Sequence, residues 1–260
     1  MSRPRTYQTE AIIIKKTRLG EADRILTLYT PDLGKIQAVA RGIRRPRSKL
    51  AGHLELLTHS LVSFARGRNL DTITGSQTID SFLPLKSDLD LTACALYIAE
   101  VVAQFTPEHV EDRSLFRLLL DALHQLSRTP NQELLLRYFE IQLLGQVGYR
   151  PQLKECVVCR RPFKAVTNYF SPGTGGILCA DCFPGKDPVA PLSVDALKVL
   201  RWLQDNDFDT ASRLKIEPGL SREVERVIRN YIQFLLERDV KSIAWLDSLR
   251  EQTSSGNINR

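Results

Sequence analysis

The chain has 260 residues, of which 43% are hydrophobic and 25% are charged, and its formal net charge is +6. This length suffices for two modest domains with hydrophobic cores, or for one large domain. No stretch approaches the roughly 20 apolar residues of a membrane span, and no apolar core follows the basic N-terminus as it would in a signal peptide. We therefore expect a protein that stays in a reducing cytoplasm and does not enter a membrane.

The positive charge is concentrated in the first third of the chain. Residues 1–84 contain 14 Lys and Arg against 7 Asp and Glu, whereas the remaining 176 residues contain 22 against 23. A basic domain of this kind indicates a polyanionic partner. The alternatives are a solvated basic face without a partner and an anionic membrane surface, although this third shows no amphipathic basic helix.

Residues 8–84 have the pattern of short strands separated by turns. The alternation of polar and apolar residues over Lys35–Arg41 places Ile36, Ala38 and Ala40 on one face of a strand. The five predicted strands cover Ala11–Ile14, Ile25–Thr30, Lys35–Arg41, Leu54–Ala65 and Thr72–Ile79. Five short strands fit a small closed barrel such as the OB-fold, and they fit an SH3-like barrel equally well.

From about residue 87 onward, apolar residues recur at helical spacing. The clearest helix is predicted over Ser221–Leu236, and Ser193 is a candidate N-cap of another. We therefore predict an α+β multidomain protein. Its parts are a β-barrel domain (1–84), an all-α domain (85–250) with a cysteine-bearing insertion at about 152–190, and a disordered tail (251–260).

Four of the five cysteines form two Cys-x-x-Cys pairs that are separated by nineteen residues, namely Cys156 with Cys159 and Cys179 with Cys182. Two such pairs supply the four thiolates that structural zinc prefers, and the glycine-rich spacer predicts a zinc ribbon. A redox pair lacks the necessary βαβ setting, and a reducing compartment disfavours disulfides. The spacing of the four cysteines also leaves an iron–sulfur cluster as an alternative to zinc. Cys94 is predicted to be a small buried hydrophobe.

Cations cluster between the third and fourth predicted strands, where residues 41–49 hold five of them and no acid. Others flank the first three strands. Together they could follow a sugar-phosphate backbone. The candidate nucleic-acid-binding residues are Lys15, Lys16, Arg18, Arg24, Lys35, Arg41, Arg44, Arg45, Arg47 and Lys49. Tyr29 and Phe64 are candidates for stacking on bases, with the protein core as the alternative for each.

An ordered set of short segments runs along nearly the whole chain. In the first third these segments are Gly20–Ile25, Thr30, Gly34-Lys35, Val39–Gly42, Ser48–Leu50 and Leu54–Leu57. Farther on they are Gly145–Pro151, which leads into the first cysteine pair, and Phe170–Gly176 before the second. Taken together and in this order, the segments resemble the RecO family of bacterial recombination mediators.

The resemblance implies an N-terminal OB-fold, a helical C-terminal domain and one structural zinc ion. It implies binding of single- and double-stranded DNA and annealing of complementary strands. It also implies work with RecR and with the C-terminal tail of the single-strand-binding protein SSB, so that RecA is loaded onto gaps. Such a protein would lie in the bacterial cytoplasm, associated with the nucleoid. Because the sequence has no P-loop, we expect no nucleotide, and we expect no small-molecule substrate.

Three other functions are compatible with parts of the pattern. A nuclease would need clustered carboxylates, whereas the seven acids of the first third form no metal-binding motif. An RNA- or ribosome-associated module would share both the barrel and the zinc ribbon. A protein-interaction adaptor would use the basic residues on an acidic partner. We expect a protein that is not an enzyme.

Overall fold

The computed structural model describes residues 5–162, 166–183 and 189–256. The chain divides into two compact units. The first unit comprises the residues up to Arg128 together with those from Lys241 onward, and the second unit comprises Thr129–Val240. The domain limits predicted from the sequence stay a prediction. The first unit contains the predicted barrel region together with helices that precede the second unit in the sequence and one helix that follows it.

The first unit begins with a closed barrel of five strands. These are β1 (Thr6–Leu19), β2 (Asp23–Thr30), β3 (Gly34–Ala40), β4 (His59–Ala65) and β5 (Asp71–Asp80). Around the barrel the strands follow the order β1-β2-β3-β5-β4, and the parallel pairing of β3 with β5 completes the closure. This is an OB-like barrel, and it confirms the predicted fold class.

Strand β1 is longer than the apolar run from which it was predicted. Its first half pairs with β4 and its second half pairs with β2, so it continues past the charged Lys15 and Lys16. A register shift between Ile13 and Lys15 bends the strand at the change of partner. Successive pairing with two partner strands, rather than hydrophobicity, therefore sets the length of β1.

The interior of the barrel follows the predicted alternation. Ile36, Ala38 and Ala40 are buried, while the residues between them are partly exposed. The predicted fourth strand, Leu54–Ala65, was placed too early, because Ala51–Leu54 is a 3-10 helix and β4 begins only at His59. The reason is Leu57, whose φ of 61° cannot belong to an extended strand.

Three helices follow the barrel within the first unit: α1 (Leu83–Lys86), α2 (Leu89–Phe105) and α3 (Arg113–Leu126). The carboxylate of Asp88 accepts a hydrogen bond from the Leu91 N–H, and that of Asp112 accepts one from the Leu115 N–H. Both residues are N-caps, which satisfy backbone donors that the helix itself leaves unpaired. Within the described residues, no helix is both long enough and apolar enough to cross a membrane.

Within the residues that the structure describes, the second unit combines four α-helices with a small sheet. Its helices are α4 (Gln132–Gln146), α5 (Val194–Asp205), α6 (Phe208–Ala211) and α7 (Pro218–Leu236). Its strands are β6 (Asn168–Ser171), β7 (Gly176–Leu178) and β8 (Ala190–Leu192), in the order β7-β6-β8. Ser193 caps α5, as predicted, by accepting a hydrogen bond from the Ala196 N–H. The predicted apolar stripe of α7 is buried from Val224 to Ile232.

A buried charge network lies inside the second unit. Arg137 Nη2 lies 2.8 Å from Glu140 Oε1, and these side chains are 3% and 0% exposed. Glu225 extends the network, since its Oε1 lies 3.5 Å from Arg137 Nη1 and 2.7 Å from Arg229 Nη2. Breaking such a pair leaves an uncompensated buried charge, so the network fixes how α4 packs on α7.

The last helix, α8 (Lys241–Gly256), returns to the first unit and packs on α2. Glu100 of α2 accepts hydrogen bonds from the Lys241 N–H (3.0 Å) and the Ser242 N–H (2.8 Å). Burial raises the pKa of the Glu100 carboxyl, but these hydrogen bonds and one from Gln104 outweigh burial and hold it below its usual value. The predicted tail, 251–260, overlaps the last turns of α8 and continues into residues 257–260, which lie outside the described residues.

We expect Glu100→Gln to destabilise the first unit by about 1 kcal/mol at neutral pH, because the start of α8 loses its anionic cap. Since the folded-state pKa of Glu100 is lowered, its contribution is complete above the ordinary carboxyl pKa and disappears as the pH falls through the folded value. Urea unfolding should be followed through Trp245 of α8 in a Trp202→Phe background, where Trp245 is the one remaining tryptophan.

The matched control is Asp121→Asn, which removes an exposed carboxylate from α3 of the same unit. The difference between the Glu100 variant and the parent should shrink on acidification, whereas the control should match the parent throughout. An equal loss in both variants, or a loss that does not change with pH, would contradict the capping role of Glu100.

Candidate nucleic-acid interface and metal centre

The register of the barrel strands brings arginines together at one end. Arg18 of β1 lies directly opposite Arg24 of β2, and Arg24 lies opposite Ala40, the residue before Arg41. Like charges in directly opposite positions destabilise a sheet. An anion placed between them would remove that repulsion, so this end of the barrel is suited to bind one.

Residues 41–49, here called the basic segment, are fastened to the same end. The Gly42 N–H donates to Asp23 Oδ1 (2.7 Å), and the Arg44 N–H donates to the Ala22 carbonyl (3.0 Å). Ile43 is buried in the barrel core. Gly42 has a φ of 63°, a value that glycine adopts without strain. The segment therefore holds a defined position beside the β1–β2 turn while its charged side chains point outward.

Most of the predicted cations have no acidic partner. Within the described parts of the chain, no carboxylate oxygen lies within 4.0 Å of eight of them. These eight are Lys15, Arg18, Arg24, Arg41, Arg44, Arg45, Arg47 and Lys49. All except the half-buried Arg24 are exposed. The barrel thus concentrates positive charge at one end instead of neutralising it internally.

Besides Arg44, whose Nη1 donates to the Glu21 carbonyl (2.7 Å), two of the predicted cations have side-chain partners inside the protein. Lys16 is 12% exposed, and its Nζ lies 2.7 Å from Glu55 Oε2. Lys35 Nζ donates to the carbonyl of Ala103 in α2 (2.6 Å). Both contacts stabilise the fold of the first unit. A role for either lysine in nucleic-acid binding stays a prediction.

The two candidate stacking residues belong to the core. Tyr29 is 1% exposed and Phe64 is fully buried, so the core alternative is confirmed for both. The aromatic ring that lies nearer the surface is Tyr7, which is stacked on Phe64 with ring centroids 4.8 Å apart. The sequence analysis missed Tyr7 because it precedes the apolar run from which the first strand was predicted.

The four predicted cysteine ligands come together in the second unit. The sulfur atoms of Cys156, Cys159, Cys179 and Cys182 all lie within 4.8 Å of one another. Cys156 is fully buried and the other three are half-buried. Cys94 is buried in α2, outside this cluster, as predicted.

Local backbone structure places both cysteine pairs. In the first pair the chain turns back through Arg160, which has a φ of 61° and donates its N–H to the Cys156 carbonyl (2.9 Å). In the second pair Cys179 follows β7 directly and begins a 3-10 turn. The Val157 N–H donates to the Ile177 carbonyl of β7 (3.0 Å), and this bond joins the first pair to the hairpin that carries the second.

The cluster fits a thiophilic metal ion. Cys159 and Cys179 have their sulfurs 3.7 Å apart, close to the about 3.8 Å between thiolates that surround zinc tetrahedrally at about 2.3 Å. Burial raises the pKa of Cys156, but hydrogen bonds from the N–H groups of Cys159, Cys179 and Val158 outweigh it and lower the pKa to about 6. A low pKa favours the thiolate, the form that binds metals, whereas the hydrogen bond with Cys179 raises the pKa of the Cys182 thiol above its usual value. The four cysteines could therefore hold one ion.

An OB-like barrel with a cationic end, followed by a helical unit with a four-thiolate cluster, defines a class of two-part OB-fold proteins. The family model "Recombination protein O N terminal" matches residues 1–82, and "Recombination protein O C terminal" matches residues 86–244. The chain belongs to the RecO family. This confirms the family resemblance found in the sequence.

Individual relatives agree over nearly the full length. The chain is 50% identical over 249 residues to the "DNA repair protein RecO" of Dehalococcoides mccartyi, covering 96% of this chain and 98% of the relative. For the protein of the same description from Roseiflexus sp. the identity is 44% over 256 residues, with coverage of 97% and 90%. For that from Symbiobacterium thermophilum it is 36% over 251 residues, with coverage of 94% and 98%.

Because all four sulfurs lie within 4.8 Å of one another and could hold one ion, we expect Cys156→Ser to abolish metal retention and to lower the melting temperature of the second unit. The decrease should be on the order of 10 °C, because metal binding contributes directly to the folding free energy. A chelator should produce a similar decrease in the native protein. Metal content by elemental analysis and thermal unfolding by calorimetry measure both effects.

The matched control is Cys94→Ala, which removes the one cysteine outside the cluster. This variant should retain the metal content of the native protein. A Cys156→Ser protein that kept both its metal and its melting temperature would show that these cysteines are not ligands.

Proposed function

We propose that the chain is a DNA-binding recombination mediator, which holds DNA strands at the cationic end of its barrel and anneals complementary single strands. The observation that carries this proposal is the placement of Arg18 against Arg24, with the basic segment fixed beside them and without acidic partners. Membership of the RecO family supports a role in DNA repair. We place its action in the cytoplasm, on the nucleoid.

Annealing needs no covalent step. Two single strands repel each other through their phosphates, and a set of fixed cations neutralises that charge and releases bound counterions. Contacts to phosphates position a strand without reading its sequence. Base edges then stay free to pair with a second strand.

The protein partners in this proposal are RecR and the C-terminal tail of SSB. SSB coats single-stranded gaps, so a mediator must act on coated strands before RecA can be loaded. The family membership of the chain supports these partners.

The proposed metal is one structural zinc ion. Four thiolates form a complete tetrahedral shell, which leaves no open position for a reacting water molecule. The ion would connect the two cysteine pairs and so stabilise the small sheet of the second unit. On this proposal it takes no part in chemistry on DNA.

We also propose that the protein is not a nuclease. Several acids of the barrel already make structural contacts: Glu55 with Lys16, Asp71 with Tyr7, and Asp23 with the backbone of Gly42. Among the described residues, the four cysteines are the only group of three or more potential ligands that could share one ion. A metal-dependent nuclease needs a comparable group of ligands made of carboxylates.

We expect Arg44→Glu/Arg45→Glu/Arg47→Glu to lose annealing of SSB-coated complementary strands by at least about tenfold, because acids at these positions repel phosphate instead of attracting it. The measurement is the rate of duplex formation between labelled strands coated with SSB. All three side chains are exposed, so the fold should be retained.

The matched control is Arg213→Glu/Lys215→Glu/Arg222→Glu, which makes the same change in net charge on three exposed residues of the second unit. Its annealing rate should stay close to that of the native protein. Equal losses in the two variants would mean that overall charge, and not the barrel surface, governs annealing.

The salt dependence of binding gives a separate prediction. If Arg44, Arg45 and Arg47 each contact a phosphate, replacing all three by Gln should reduce the slope of log affinity against log salt by about 2 for single strands. Fluorescence anisotropy over a salt series measures this slope. An unchanged slope would remove these residues from the DNA contact.

A further inference from the structure

A second surface of the barrel lies at the opposite end of β3 from the basic segment. It is a cavity of about 710 Å³, formed where β3 begins and where β4 passes into β5. Sites for small organic groups typically measure about 300–1,000 Å³. The cavity therefore has the size of a binding site, although none of the candidate cations identified from the sequence lines it.

Stacked planar groups form one wall of this cavity. The ring of Tyr7 lies against the buried ring of Phe64, with 13° between their planes. The guanidinium carbon of Arg66 lies over the Tyr7 ring, 4.8 Å from its centroid. Exposure increases from Phe64 through Tyr7 to Arg66. Aromatic rings and guanidinium planes are the surfaces on which nucleobases stack.

This wall is held in place by Asp71. Its Oδ2 accepts the hydroxyl hydrogen of Tyr7 (2.7 Å), and its Oδ1 accepts the N–H of Gly67 in the β4–β5 turn (3.0 Å). Burial, and next the hydrogen bond to Asp71, raise the pKa of Tyr7, so its hydroxyl stays a donor. A Cβ atom at position 67 would lie only 1.9 Å from the Leu70 carbonyl oxygen, so any side chain on Gly67 would collide with the backbone. The geometry is thus set without a ligand.

The remaining lining is polar and carries negative charge. Glu108 and Asp71 contribute carboxylates, and Gln37 donates its amide hydrogen to Glu108. Asn69 and His109 complete the polar side. Carboxylates repel phosphate but accept hydrogen bonds from exocyclic amino groups, as they do from cytosine N4. The chemistry of this cavity therefore differs from that of the basic segment, which attracts phosphate.

We propose that the cavity binds one unpaired nucleobase that carries an amino group, stacked on Arg66 and hydrogen-bonded through Glu108. The base belongs to the same strand whose phosphates the basic segment holds, so this inference rests on the proposed function. Along β3, Gln37 of the cavity and Arg41 of the basic segment are four residues apart, which corresponds to about 13 Å. Thymine, which has no amino group, is the disfavoured base.

The experiment compares three probes of equal length: oligo-dC, oligo-dT and a strand made only of abasic sugar-phosphate. Affinities are measured by fluorescence anisotropy at one salt concentration. The native protein should bind oligo-dC roughly fivefold more tightly than oligo-dT, and both more tightly than the abasic strand. Arg66→Lys, which keeps the charge but removes the plane, should lose most of the gain over the abasic strand without a change in salt slope. Glu108→Ala should bring the ratio of oligo-dC to oligo-dT towards one.

The matched control is Arg68→Lys, which alters a neighbouring exposed arginine of the same turn that does not line the cavity. It should behave as the native protein does. Thermal unfolding of each variant confirms that it is folded, since residues 66, 68 and 108 are all exposed.

The two proposals fail in different ways. Equal binding of all three probes by the native protein, or equal effects of Arg66→Lys and Arg68→Lys, would overturn the base site and leave phosphate binding intact. If the native protein bound none of the three probes, both the base site and the proposed phosphate binding would be overturned. A uniform loss on all probes in the Arg44/Arg45/Arg47 variant, together with a native preference for oligo-dC, supports both.

Discussion

The main physical constraint on the first unit is that its fold must hold mutually repelling cations together at one end of the barrel. The strand register sets Arg18 against Arg24, and Asp23 and Ile43 prevent the basic segment from moving away. A flexible loop would relieve the repulsion by spreading its charges into solvent, where salt screens them. Here the fold keeps the charges together and leaves them unneutralised. The resulting excess of fixed positive charge is what a polyanion needs in order to exchange its counterions for protein groups.

Apart from this charged end, the other contacts described above hold side chains and helices in fixed positions. Asp71 fixes Tyr7 and the turn at Gly67, and the Arg137–Glu225 contact fixes the packing of α4 on α7. The cysteine cluster brings the first cysteine pair together with the second pair, which follows a strand of the three-stranded sheet. Each unit therefore presents its polar groups in defined positions, which reduces the entropy that a bound partner would have to remove.

Local patterns allowed the sequence to predict much of this arrangement. The alternation around Ile36 and Ala38 depends on a period of two, and the spacing of the four cysteines depends on the geometry of a short turn. Features that depend on distant residues were not predictable. The choice between stacking and core for Tyr29, which the sequence left open, depends on α3 packing against its strand, and the full length of β1 reflects pairing with β4 over its first half and with β2 over its second. Similarly, the hydrogen bond from Lys35 to α2 could not be predicted, because the residues next to Lys35 in the sequence do not indicate it.

The return of α8 to the first unit has a consequence for synthesis on the ribosome. The Lys241 N–H bonds to Glu100 across 141 positions of the chain, and the whole second unit is made between them. A nascent chain can thus complete the second unit while α2 still lacks its partner helix. Closing so long a loop is slow relative to local folding. The first unit consequently reaches its finished form last, after translation has passed the residues of α8.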